Sequence, residues 1–245
     1  MGPIIAYFVL AWAGSNEQGY RDVFWLAVIP AFLAVIAIWF LVREPASAKA
    51  APASKEKKMG FWQKLKALPP DYIRFLKISC LFSLSYFSFA LLIVRASEIG
   101  ISTENILLLY VLYNIVYMLA SVPIGKFSDR VGRKPVIAAS FLLYALVCVG
   151  FIFAGNILQV AVLFALYGVF VSADESVNKA YVSDMAGEKL RGTALGAYNS
   201  AVGACYLPAS VVFGFVWAGF GAFAAFGLAA AIAAVSAVAL AVRQK

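Results

Sequence analysis

Apolar positions in this chain come in long unbroken runs rather than in alternation with polar ones. At about 1.5 Å of helical rise per residue, residues 23–42, 75–94, 106–124, 136–154, 157–172, 193–216 and 222–242 approach or exceed the roughly 30 Å of a hydrocarbon core. These seven runs predict an all-α polytopic membrane protein. A shorter apolar run, residues 4–13, starts close to Met1 with no basic flank. It lacks the charged leader and small-residue cleavage site of a signal peptide and reads as the surviving end of a helix that has been cut.

The polar segments between the runs carry the rest of the pattern. Residues 125–135 read GKFSDRVGRKP and place five charges between two apolar runs, so this connection belongs in water. Residues 44–70 are rich in Ala, Ser, Pro and Lys and read as a linker. Within it Phe61, Trp62, Leu65 and Leu68 recur at helical spacing among Lys64 and Lys66. Two readings stand for that stretch: a short amphipathic helix on an anionic membrane surface, or a solvated connector. With the linker placed in the cytoplasm, segments 125–135, 183–192 and 243–245 fall there too, and only Arg21 and Arg95 remain as outward basic residues. That asymmetry fits the positive-inside rule, with a cytoplasmic C-terminus in the plasma membrane of a bacterium as the expected location.

Composition narrows the function. Hydrophobic residues make up 64% of the 245 and charged residues 13%, which excludes an ordinary soluble domain. The net charge of +8 resides in the connections, so it reflects orientation and not nucleic-acid binding. Histidine is absent, which removes the usual metal ligand and the usual group titrating near neutrality. No metal or cofactor is expected, and any coupling proton would fall to carboxylates. Cys80, Cys148 and Cys205 lie in three different apolar runs and read as small buried hydrophobes. No nucleotide-binding loop is present to drive transport with ATP.

The pattern G-x-x-x-D-R-x-G-R-K-P, carried by Gly125, Asp129, Arg130, Gly132, Arg133, Lys134 and Pro135, resembles the signature loop of the major facilitator superfamily of secondary transporters. A need for basic residues in a cytoplasmic turn explains the Lys and Arg, but not glycines at both bends with an Asp between them. The resemblance implies a C-terminal six-helix transmembrane half over residues 75–245, a cytoplasmic linker over 43–74, and helix six with a truncated helix five over 1–42. It also implies a small-molecule solute, a possible coupling proton, the lipid bilayer, and a missing N-terminal half or a second copy as partners. The function so implied is secondary active transport by alternating access. The alternatives are a non-transporting multi-span receptor or scaffold, and a half-transporter acting as a homo-oligomer. An enzyme is not expected, because Asp174 and Glu175 are adjacent and point about 100° apart around a helix.

Three groups of residues are candidates for the mechanism. In the signature loop, Asp129 takes by resemblance the role of an ionic gate that caps a neighbouring helix end; charge balance within the loop is the plainer alternative. A second group, Asp174, Glu175, Lys179, Asp184 and Arg191, reads as a charge network near the cytoplasmic boundary, with Glu175 and Lys179 paired at i,i+4. Its carboxylates are also candidates for ion coupling, and its Asp184…Arg191 spacing resembles the family's loop between helices ten and eleven. The third group, Tyr86, Tyr110, Asn114, Tyr117, Asn199 and Tyr206, forms polar stripes that either line a central cavity or let helices approach one another. Arg95 and Glu98 close one helix end as a latch or as an interfacial anchor pair.

Overall fold

The computed structural model describes residues 17–41, 63, 65 and 67–242, in two compact units. The truncated helix at residues 4–13, the linker through residue 62 and the tail 243–245 lie outside the described residues. The described part of the first unit is helix α1 (Glu17–Leu41), which continues through Pro30. Its Phe24, Trp25, Phe32, Trp39 and Phe40 are all exposed, as suits side chains solvated by hydrocarbon.

The second unit contains helices and no strands among its described residues: α2 (Pro70–Ser83), α3 (Phe89–Glu98), α4 (Thr103–Val131), α5 (Arg133–Phe153) and α6 (Ile157–Val242). Three of these, α4, α5 and α6, are long and apolar enough to cross a membrane. α6 is helical along its length but turns at Gly187 (φ 66°, ψ 172°) and Gly221 (φ 81°, ψ 174°), which divide it into arms 157–186, 188–220 and 222–242. That backbone region is open essentially to glycine alone and costs other residues about 1–3 kcal/mol, so the two glycines fix where the corners fall.

Packing follows the helical repeat. On α5, Ile137, Phe141, Tyr144, Cys148 and Phe151 share the buried face, while Leu142, Leu146, Val149 and Phe153 face outward. The buried face is aromatic: Phe82 of α2 stacks on Phe141 with ring centroids 3.7 Å apart, and Phe226 of the third arm stacks on Phe151 at 5.5 Å. Such pairs are worth about 0.5–1.5 kcal/mol beyond area burial, which matters where lipid removes most of the hydrophobic drive between helices. In the third arm, Ala225, Ala229, Ala233 and Ala237 recur every fourth residue and are buried. Side chains this small let a helix pack closely on its neighbours.

Three expectations are corrected. The run at 75–94 is not one continuous helix, because it breaks between Ser83 and Phe89. Hydroxyls satisfy the freed backbone there: Ser85 Oγ donates to Phe82 O at 2.6 Å, Tyr144 Oη donates to Ser85 O at 2.9 Å, and Ser88 Oγ accepts from the amide of Ala90 at 3.3 Å. The signature segment is not an extended loop. α4 runs through Gly125 to Val131, and only Gly132 (φ 100°, ψ 143°) separates it from α5, so the chain bends at one glycine and not at two. Segment 183–192 likewise is not a loop but a corner centred on Gly187.

Candidate functional site

The candidate residues separate into a charged corner and a polar cavity. The corner forms because Gly132 turns the chain in a single residue and its amide bonds to Ser128 O at 3.0 Å, placing the end of α4 beside the start of α5. Arg133 then reaches back to Asp129 Oδ1 at 3.4 Å and across to Asp184 Oδ2 of the first α6 arm at 2.9 Å. Asp129 therefore contacts the side chain of the residue that opens α5, while the N-terminus of α5 has no side-chain cap. Gly125 lies within α4, where its carbonyl accepts from Ser128 Oγ at 2.7 Å. Arg130 is exposed on the last turn of α4, and Lys134 is half-buried at the start of α5. Arg191 is exposed beyond the Gly187 corner, and among the described residues it forms no ion pair with Asp184.

The cavity lies elsewhere. It encloses about 240 Å³ and is lined by Tyr86 from the α2–α3 break, by Asp174, Glu175 and Lys179 of the first α6 arm, and by Tyr198, Asn199, Val202, Gly203 and Tyr206 of the second arm. Residues 174, 175 and 179 therefore belong with Asn199 and Tyr206, while Asp184 belongs with Arg133. The expected charge network divides in two.

Hydrogen bonds define the cavity wall. Tyr117 Oη of α4 donates to Glu175 Oε2 at 2.8 Å, and Asn178 Nδ2 donates to Asp174 Oδ1 at 2.6 Å. The expected Glu175–Lys179 ion pair is not among those of the described residues, because the Tyr117 hydroxyl draws Glu175 toward α4. Tyr86 and Tyr167 share a hydroxyl–hydroxyl bond of 2.8 Å. The Tyr86 ring stands 5.2 Å from that of Tyr206 at an interplanar angle of 45°.

The stripe on α4 is continuous with this wall. The rings of Tyr110, Tyr113 and Tyr117 stack in sequence at 5.8 and 6.3 Å. Asn114 meets its need for a partner within its own helix, donating to Tyr110 O at 2.8 Å. α4 comes close to the first α6 arm at Gly168, where a Cβ would sit 2.8 Å from Tyr113 O.

Arg95 and Glu98 pair at 3.3 Å and are tied into the bundle. Arg95 Nε donates to Phe151 O at 3.3 Å, and Trp217 Nε1 donates to Glu98 Oε1 at 3.1 Å, joining α3, α5 and the second α6 arm. Sequence reasoning missed Tyr198 and Tyr167. Tyr198 lies beside Asn199, two helical turns before Tyr206, so the same stripe would have included it. Tyr167 sits in an apolar run with no polar neighbour in sequence to draw attention to it. Among the described residues no three His, Cys, Asp or Glu side chains gather closely enough to hold a metal ion.

Residues 75–245 match the family described as the Major Facilitator Superfamily. An uncharacterised transporter of MFS type from Methanocaldococcus jannaschii is 35% identical over 207 residues, covering 82% of this chain and 50% of its own length. A cis,cis-muconate transport protein from Acinetobacter baylyi is 26% identical over 226 residues, covering 87% of this chain and 54% of its own. The chain spans about half the length of the curated relatives it matches.

Proposed function

The chain belongs to the major facilitator superfamily, and from that premise we propose that it forms one wall of a secondary transporter that moves a small solute by alternating access. The observation that carries this reading is the 240 Å³ polar cavity, which collects three tyrosines, an asparagine, two carboxylates and an ammonium group in an otherwise apolar bundle. Ionisable groups cost several kcal/mol at membrane depth, and they mark solute or ion paths where they persist. The opposite wall comes from a second half, either the one its relatives carry in the same chain or a second copy. Residues 75–245 act as the C-terminal half, and the Gly132 and Gly187 corners face the cytoplasm.

Within this reading a coupling proton is carried by Asp174 or Glu175, the two carboxylates that line the cavity. The Arg133 bridge to Asp129 and Asp184 is the gate. It joins three helices, α4, α5 and the first arm of α6, at one end of the bundle, and its half-exposed geometry keeps it weak enough to open.

The test is solute counterflow in proteoliposomes made from membranes that contain the chain, with a panel of small metabolites that includes cis,cis-muconate. Saturable exchange that is lost in Tyr206→Leu and Asn199→Leu supports the reading. Exchange indifferent to both substitutions removes it.

A further inference from the structure

The charge and the spare hydrogen-bonding capacity of the cavity go beyond marking a solute site. Its lining holds two carboxylates, Asp174 and Glu175, against a single ammonium, Lys179. The carboxylates are partly engaged, Glu175 through one oxygen by Tyr117 and Asp174 through one oxygen by Asn178. Asn178 is 2% exposed, and its Oδ1 has no hydrogen-bond partner. The unspent oxygens of Asp174 and Glu175, with Asn178 Oδ1 beside Asp174, are all acceptors, which suits a donor or a cation, while Lys179 is the one cationic group of the lining.

The aromatic lining points the same way. Tyr86 and Tyr206 both line the cavity with their rings in contact, 5.2 Å apart and tilted at 45°, so a cation meets them side by side and does not enter between them. The face of a tyrosine ring carries negative potential, and a cation within about 6 Å of its centroid is attracted to it. Paired ring faces backed by carboxylates recognise substituted ammonium groups, whose weak hydration makes transfer into a part-apolar cavity less costly than for a bare ion. A dicarboxylate would face two like charges for one opposite charge, and like-charge juxtaposition costs several kcal/mol.

We propose that this cavity receives the cationic end of its solute, a quaternary or substituted ammonium group, against the Tyr86 and Tyr206 side of its wall with Asp174 and Glu175 as counter-charges. The assignment rests on the cavity being the solute site. Lys179 then acts against binding while the cavity is empty, and removing its charge strengthens the site.

The test is equilibrium binding to the purified chain in lipid nanodiscs. The probes are tritiated choline, its neutral carbon isostere 3,3-dimethylbutan-1-ol as competitor, and the dianion succinate as a second ligand. The expected result is saturable choline binding, competition by the isostere at least tenfold weaker, and none by succinate. Glu175→Gln weakens choline binding at least tenfold and Tyr206→Leu several-fold, whereas Lys179→Gln tightens it several-fold, a gain that misfolding does not produce. Saturable succinate binding that depends on Lys179 would overturn the cationic assignment while leaving the cavity as the solute site. Choline binding indifferent to Glu175→Gln overturns it as well. The absence of saturable choline binding would overturn the cationic assignment, while counterflow of another solute that is lost in Tyr206→Leu and Asn199→Leu would keep the cavity as the solute site.

Discussion

Arg133 and Asp184 meet at 2.9 Å, joining the residue that follows the Gly132 corner to the turn that precedes the Gly187 corner. The side chains are 23% and 55% exposed, so solvent screens the pair and a large stabilising effect is not expected. Asp184→Asn should lower the melting stability of the purified protein by less than about 1 kcal/mol, and the difference should fade in 1 M salt. Arg133→Gln should cost a little more, because it also releases Asp129. A loss of several kcal/mol in Asp184→Asn would mean that the corner is far drier than its exposure indicates.

Gly168 and Gly150 make a matched pair of packing probes. A Cβ on Gly168 would press on the backbone of α4, 2.8 Å from Tyr113 O and 3.2 Å from Tyr117 N, neither of which can rotate away. A Cβ on Gly150 would meet the end of the Leu163 side chain, which can. Gly168→Ala should therefore destabilise by about 1–3 kcal/mol through forced separation of α4 from the first α6 arm. Gly150→Ala should cost clearly less. Thermal unfolding of both variants in the same detergent checks the order, and equal losses would count against the close approach.

The Tyr86–Tyr167 hydroxyl pair should respond asymmetrically. Tyr167 is 2% exposed, so Tyr86→Phe leaves its hydroxyl buried without that partner, at a cost of about 1–3 kcal/mol. Tyr167→Phe leaves the Tyr86 hydroxyl beside the cavity, where water can replace the lost bond, and should cost less. The double variant should be closer to neutral than the sum of the two, and a double-mutant cycle by thermal unfolding measures the difference. Additive losses would show that the two hydroxyls do not act as a pair.

The long apolar runs were legible because hydropathy is summed over twenty residues: residues 106–124 and 222–242 fall within α4 and the third arm of α6, and 136–154 overruns α5 by one residue. The corners were less so. Charge density marked 125–135 and 183–192 as connections, but nothing in the pattern said that a single positive-φ glycine would suffice for each turn. The site was legible by face and not by partner. Asn199 and Tyr206 were placed by helical spacing, whereas Tyr86 reaches the cavity from the break between α2 and α3, where that spacing does not hold, and whether Glu175 pairs with Lys179 on its own helix or with Tyr117 on another depends on how α4 packs. Asp174 and Asp184 are ten residues apart on one arm and end in different networks for the same reason.

The break between α2 and α3 gives the last prediction, because a helix interrupted among buried residues must satisfy its freed carbonyls from side chains. Tyr144 is 1% exposed, Ser85 is fully buried, and the 2.9 Å bond from Tyr144 Oη is what reaches Ser85 O. Tyr144→Phe removes that donor without changing shape, so the carbonyl loses a bond where water has little access, at about 1–3 kcal/mol. Ser88→Ala removes the acceptor that meets the Ala90 amide, but Ser88 is exposed and water can take its place, so its cost should sit nearer 0.5 kcal/mol. Hydrogen exchange separates the two effects. Amides at residues 84–88 should exchange markedly faster in Tyr144→Phe while those in the middle of α5 stay protected, whereas Ser88→Ala should speed only the first turn of α3. Uniform acceleration across the bundle in Tyr144→Phe would instead mean that the break is not an independent local unit, and that its hydroxyl supports the whole aromatic core.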